Sequence, residues 1–111
     1  MSKLDEKLEL YTKEMRKLGI PVNAALLRGV TKACGPSIYT KDGETVSSSS
    51  ESEVNRVKTN FMTKKLGLSG ADLDKGVAHA IDKMGKGNRS KYRPIFYYLI
   101  VKKFKKDSLF V

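Results

Sequence analysis

The residues of this chain with the most chemistry to offer are cations. Lys83, Lys86, Arg89, Lys91, Arg93, Lys102, Lys103, Lys105 and Lys106 follow one another with no acidic residue among them. They account for nine of the ten units of net positive charge. A one-sided field of this kind draws in anions and raises their local concentration. Two sub-clusters carry it. In Gly85-Lys-Gly-Asn-Arg-Ser-Lys-Tyr-Arg, flexible glycines surround Lys86, Arg89, Ser90, Lys91 and Arg93 just ahead of a helix start. Free backbone N–H groups and the positive end of a helix dipole favour an anion at such a place. Neither spacing nor context is that of a phosphate-binding P-loop. The tail Lys102-Lys-Phe-Lys-Lys offers sequence-independent contacts to phosphates or to an acidic surface. A plainer reading competes with both: cations complement the C-terminal dipoles of helices and solubilise a loop.

Other reactive side chains are isolated. His79 is the only histidine, and a metal site wants several ligands at short spacing, where only Asp82 stands near. It reads as a helix-surface residue. Cys34 falls near a helix C-terminus, whose negative pole raises a thiol pKa and makes a poor nucleophile. Asp72, Asp74 and Asp82 read as the solvated face of one helix, and no shared cleft for general acid–base work is evident. Ser47 to Ser50 is a solvated low-complexity run. The pattern therefore predicts no catalytic residue, no metal and no cofactor.

A chain of 111 residues predicts one domain. Its 40% apolar and 31% charged residues suit a globular protein and not a disordered one. A single cysteine excludes an internal disulfide and fits a reducing compartment. The N-terminus has no hydrophobic signal core. The apolar run Pro94 to Val101 is far short of the roughly 18 residues a membrane span needs. The expectation is a soluble, cytoplasmic protein with no membrane partner.

The elements that must position the cations are helical. Leu4, Leu8, Tyr11, Met15 and Leu18 share one stripe of an N-terminal helix, with Ser2 and Asp5 as a capping box and Gly19 and Pro21 as its stop. Asn23 caps a second helix, Ala24 to Cys34, ended by Gly35-Pro36. Residues 36–50 read as an irregular loop. Its Asp42-Gly43 turn signal permits a small hairpin pairing Ile38–Thr40 with Glu44–Val46. Ser50 and Glu53 open a third helix to about Leu66, with Val54, Val57, Phe61 and Met62 inward. Ser69 caps a fourth, with Leu73, Val77, Ala80, Ile81 and Met84 inside and Gly85 at its end. Tyr92 to about Lys105 is ambiguous, because Ile95 to Val101 has strand propensity. No partner strand is convincing, and a helix apolar on every side is a buried helix. Its N-cap belongs between Ser90 and Arg93, since Pro94 is tolerated only in the first turn. The predicted fold is an all-α, compact single domain over 1–111, a bundle of about five helices with a buried C-terminal helix.

Three segments resemble a known family: Gly35-Pro-Ser-Ile-Tyr, Asn60-Phe-Met-Thr-Lys-Lys-Leu-Gly-Leu, and Asn88-Arg-Ser-Lys-Tyr-Arg-Pro-Ile-Phe-Tyr-Tyr-Leu-Ile-Val-Lys-Lys-Phe. Together they are similar to small bacterial proteins grouped as domain of unknown function 2853. The resemblance covers nearly the whole chain, and the last segment is its most specific part. It implies a bacterial cytosolic protein with a compact helical fold, and it implies no activity, substrate or site residue.

The functional expectation is a non-enzymatic binding module. Its basic face, 83–106, engages an anionic partner, either a polyanion such as nucleic acid or an acidic protein. The alternative is a structural or adaptor protein acting by self-association through Tyr97, Tyr98 and Leu109 to Val111.

Overall fold

The computed structural model describes residues 3–47, 49–88 and 91–111. The chain is all-α and forms one helical bundle around one core. The predicted capping box of Ser2 falls outside the described residues. Helix α1, Lys3–Lys17, fully buries only Tyr11 and Met15 of its stripe. Helix α2 is Ala24–Cys34, and the Asn23 side chain accepts from the Leu26 N–H at 3.1 Å, satisfying one of the free donors of the first turn. Gly35, at φ 68°, ends α2 as expected.

Residues 36–50 depart from the expected loop, and the hairpin is absent. Gly35–Tyr39 is a 3-10 turn and Lys41–Glu44 is a one-turn helix, α3. The Thr40 hydroxyl caps α3 by accepting from the Gly43 N–H at 3.1 Å. Asp42-Gly43 therefore lies inside a helical turn, a local chemistry that the dipeptide alone does not distinguish from a hairpin. Thr45 instead bridges antiparallel to Tyr92, and the Val46 N–H donates to the Lys91 carbonyl at 2.8 Å.

Helix α4, Glu51–Arg56, starts at the predicted cap, where Ser50 Oγ accepts from the Glu53 N–H. It continues as a π-helical segment, Val57–Thr63, and stops short of the expected Leu66. The wider π-helical turn brings Val57 much closer to the direction of Met62, whereas α geometry would put them about 140° apart. The wider turn brings Val57, Phe61 and Met62 to the core together. Helix α5, Ala71–Met84, has Gly70 at its N-cap with φ 62°, in place of the expected Ser69.

Helix α6, Arg93–Lys103, starts after Tyr92, inside the predicted interval, and ends two residues before the expected Lys105. Every residue from Pro94 to Val101 is buried. Fully burying each large apolar side chain stabilises by roughly 1.5–3 kcal/mol, so α6 is the axis on which α1, α2, α3 and α5 pack. Tyr97 and Tyr98 belong to this core, which removes them from any surface for self-association. Leu109 and Val111 stay exposed, while Phe110 returns to stack near Phe61 at 6.0 Å between ring centroids.

Candidate functional site

Helix α6 runs back antiparallel along α5. Gly76 marks the approach: a Cβ there would come within 3.0 Å of Phe104 and 3.5 Å of Ile100. The basic stretch is thus contiguous in sequence but divided in space. The linker sits at the start of α6 and the lysine tail at its end, and an 11-residue helix separates them by roughly 16 Å.

Two of the linker cations, Lys91 and Arg93, have internal duties. Arg89 and Ser90 lie outside the described residues. Lys86 is exposed. Lys91 is only 3% exposed, and its ammonium donates to the carbonyls of Lys86 and Asn88. It thereby ties down the turn that follows α5, and burial pushes its pKa down. Arg93 donates from Nε to the Gly43 carbonyl at 2.7 Å and from Nη1 to the Tyr97 hydroxyl at 3.0 Å. Its Nη2 serves Glu53 and the Thr45 carbonyl. Burial alone would lower its pKa, but Tyr97 and Glu53 carry it upward. The guanidinium pins α3 and α4 to α6, and Glu53 takes the place of an external anion.

The tail is different. Lys103 and Lys105 are exposed and Lys106 is half-buried. Among the described residues, the one acidic partner in this group is Asp107, 3.1 Å from Lys102. Phe104 caps α6. The Lys106 N–H then donates to the Val101 carbonyl at 3.0 Å and the Lys105 N–H to Lys102 at 3.3 Å. This is the paired pattern that closes a helix with a left-handed residue, usually glycine. Here that residue is Lys105, at φ 54°. The fold adds two lysines that sequence proximity did not suggest. Lys32 and Lys65 line the same groove as Leu109 and Phe110, one 3-10 turn beyond Lys106.

His79 is half-buried rather than a simple surface residue. It borders a cavity of about 270 Å³ between the α1–α2 turn and the α5–α6 pair, with Lys83 and Lys102. Burial, Lys103 and Lys83 lower its pKa, against a smaller upward pull from Asp82. Nothing in the linear pattern places His79 beside α6; only the antiparallel return does. Cys34 is pushed up to about 12, mainly by burial and against the pull of Arg93 and Lys65. It lines a smaller cleft of about 210 Å³ with Asn60, Phe61 and Tyr97, and a thiol held protonated there is a poor nucleophile. Asp72, Asp74 and Asp82 are exposed, and Asp74 pairs with Lys58. Among the described residues, no three His, Cys, Asp or Glu side chains gather as a metal site, and no helix is long and apolar enough to cross a membrane.

The arrangement offers exposed lysines and a cation-rimmed cavity, with no nucleophile–base pair among the described residues. No curated protein matches this chain. A family model described as a protein of unknown function (DUF2853) matches residues 10–108, a span that takes in α2 through α6 and the whole basic stretch. The chain belongs to that family.

Proposed function

We propose that this protein is a non-enzymatic binding module whose lysine-rich surface at the end of α6 engages an anionic partner, with a nucleic-acid backbone as the polyanion of matching charge density. The observation that carries this reading is the lack of acidic partners for three of these lysines among the described residues. Lys103, Lys105 and Lys106 have no carboxylate within ion-pair distance among the described residues, whereas Arg93 and Lys91 are taken up by the fold. Lysines without a carboxylate inside remain available outside, even with Lys103 lying over the Phe104 ring, and neutralising phosphates with them releases condensed counterions. Lys91 and Arg93 then act as scaffold and Lys86 as periphery, with Lys102, Lys103, Lys105 and Lys106 as the contact set.

Fluorescence anisotropy with duplex and single-stranded oligonucleotides across a salt series tests it. Four contacts give a log–log slope of about −3.6 on duplex DNA and about −2.8 on single strands. Replacing Lys105 and Lys106 by glutamine flattens the duplex slope by about 1.8. Replacing Lys3 and Lys13 removes the same charge from α1 and leaves the slope in place. Equal weakening by both pairs, or no binding at low salt, defeats the proposal.

A further inference from the structure

We infer that the cavity between the α1–α2 turn and the α5–α6 pair is a binding site for a small organic anion, an apolar body carrying one carboxylate. The inference does not rest on polyanion binding, because a small anion fills the cavity whether or not a polymer crosses the tail.

The floor is apolar, with Leu18, Ile20 and Leu99 as its walls. Tyr98 also reaches it, but its hydroxyl is fully used. It accepts from the Asn23 N–H at 3.0 Å and donates to the Pro21 carbonyl at 2.8 Å, and these two bonds hold the turn that forms one wall. Water on such a floor finds few of the two to four polar partners it needs. The rim is cationic: His79 and Lys83 stand one turn apart on α5, and Lys102 faces them from α6. A purely inorganic anion would leave the floor unfilled, and a neutral hydrocarbon would leave Lys83 without a carboxylate, since among the described residues only Lys102 of the two rim lysines has one, Asp107 at 3.1 Å. A carboxylate on an apolar body meets both conditions. The volume of about 270 Å³ is that of roughly nine waters, enough for an aryl or short-chain acid and too little for a long acyl chain.

The rim also titrates. His79 is faced by Lys83 and Asp82 on its own helix and by Lys103 from α6, and Lys102 shares the cavity. The turn Leu18–Pro21 contributes no titratable side chain. Protonating His79 adds a third cation to the rim, so lower pH tightens the carboxylate. By linkage, the bound carboxylate raises the His79 pKa.

The test is a titration of the full chain followed by amide and imidazole NMR, with three probes: benzoate, benzyl alcohol and sulfate. Benzoate gives saturable shifts at Gly19, Ile20, His79 and Leu99 and moves the His79 pKa upward, while the other two bind at least about fivefold more weakly. Lys83→Gln and Lys102→Gln, both at exposed positions, each weaken benzoate about two- to fivefold, and Lys13→Gln does not. Comparable binding of benzyl alcohol reduces the site to a greasy surface, and comparable binding of sulfate reduces it to loose lysines. Either result, benzoate shifts elsewhere, or a His79 pKa that stays in place overturns the inference.

Discussion

Arg93 and Glu53, forty positions apart, form an ion pair inside the fold, and the same guanidinium donates to the Gly43 carbonyl at 2.7 Å. The side chains are only 14% and 17% exposed. One arginine thereby satisfies the carbonyl end of α3 and the first turn of α4 at once. Its planar fork matters, because lysine offers a point charge and cannot serve these acceptors in their fixed directions.

Breaking that pair strands a largely buried cation. Glu53→Gln is expected to cost about 2–3 kcal/mol in urea unfolding at neutral pH. Arg93→Lys is expected to cost a similar amount rather than to behave as a conservative change. A loss below about half a kcal/mol for both would show that the pair behaves like an exposed one.

Tyr11 supplies a pH-dependent prediction. It is fully buried and donates to Glu44 at 2.8 Å, and burial, then the Glu44 carboxylate, raises its pKa well above the ordinary 10.0. Tyr97 and Tyr92 are raised as well, in each case mainly by burial. A raised folded pKa means that the unfolded chain loses its proton first, so this stability is complete below pH 10 and declines as pH rises above it. Lys91, pushed down by burial, acts in the opposite direction. Tyr11→Phe isolates the tyrosine contribution: it costs about 1–2 kcal/mol near neutrality and makes the alkaline decline shallower. An unchanged alkaline slope in chemical denaturation would exclude Tyr11 as its source.

The elements that were legible in the sequence are those with local causes. Asn23 and Ser50 lie within three residues of the N–H groups they cap, and the apolar run Ile95 to Val101 reads the same from every side of a helix. Non-local causes leave no such trace. A run of positive charge states how many cations there are but not which of them meet a carboxylate, so Arg93 and Lys103 look alike until α4 brings Glu53 to one of them. The same holds for His79, whose cavity exists only because α6 folds back along α5. Ser69, the residue with a capping side chain, is not the N-cap of α5; the chain instead enters it through Gly70 at φ 62°, a conformation glycine adopts without steric cost. The π-helical turn answers a packing demand, that Val57 and Met62 face one core, and no residue in it is a helix breaker.

Leu99 joins the core to the cavity. It is 5% exposed in α6 and forms part of the cavity wall. Leu99→Ala is expected to cost about 2–5 kcal/mol, the transfer loss plus the enlarged void. Thermal and urea unfolding check the number, and a loss under about half a kcal/mol would place the side chain near water.

Lys105 separates what is good for the fold from what is good for binding. At φ 54° it occupies a conformation that costs a side-chain-bearing residue roughly 1–2 kcal/mol, at a closing position where glycine is usual. Glycine relieves that strain but gives back about 0.5–1 kcal/mol in chain entropy. Lys105→Gly is therefore expected to raise stability by about half to one kcal/mol in urea unfolding. It also deletes one exposed cation from the tail, so the salt slope of duplex binding should flatten by about 0.9. Lys105→Ala serves as the control: it deletes the same cation but keeps a Cβ in the left-handed region, so the slope should fall without the gain in stability. If glycine and alanine are equally stable, the backbone there is unstrained and the first half of the argument fails. If both bind with an unaltered slope, Lys105 touches no phosphate, and the contact set must lie elsewhere on the lysine surface.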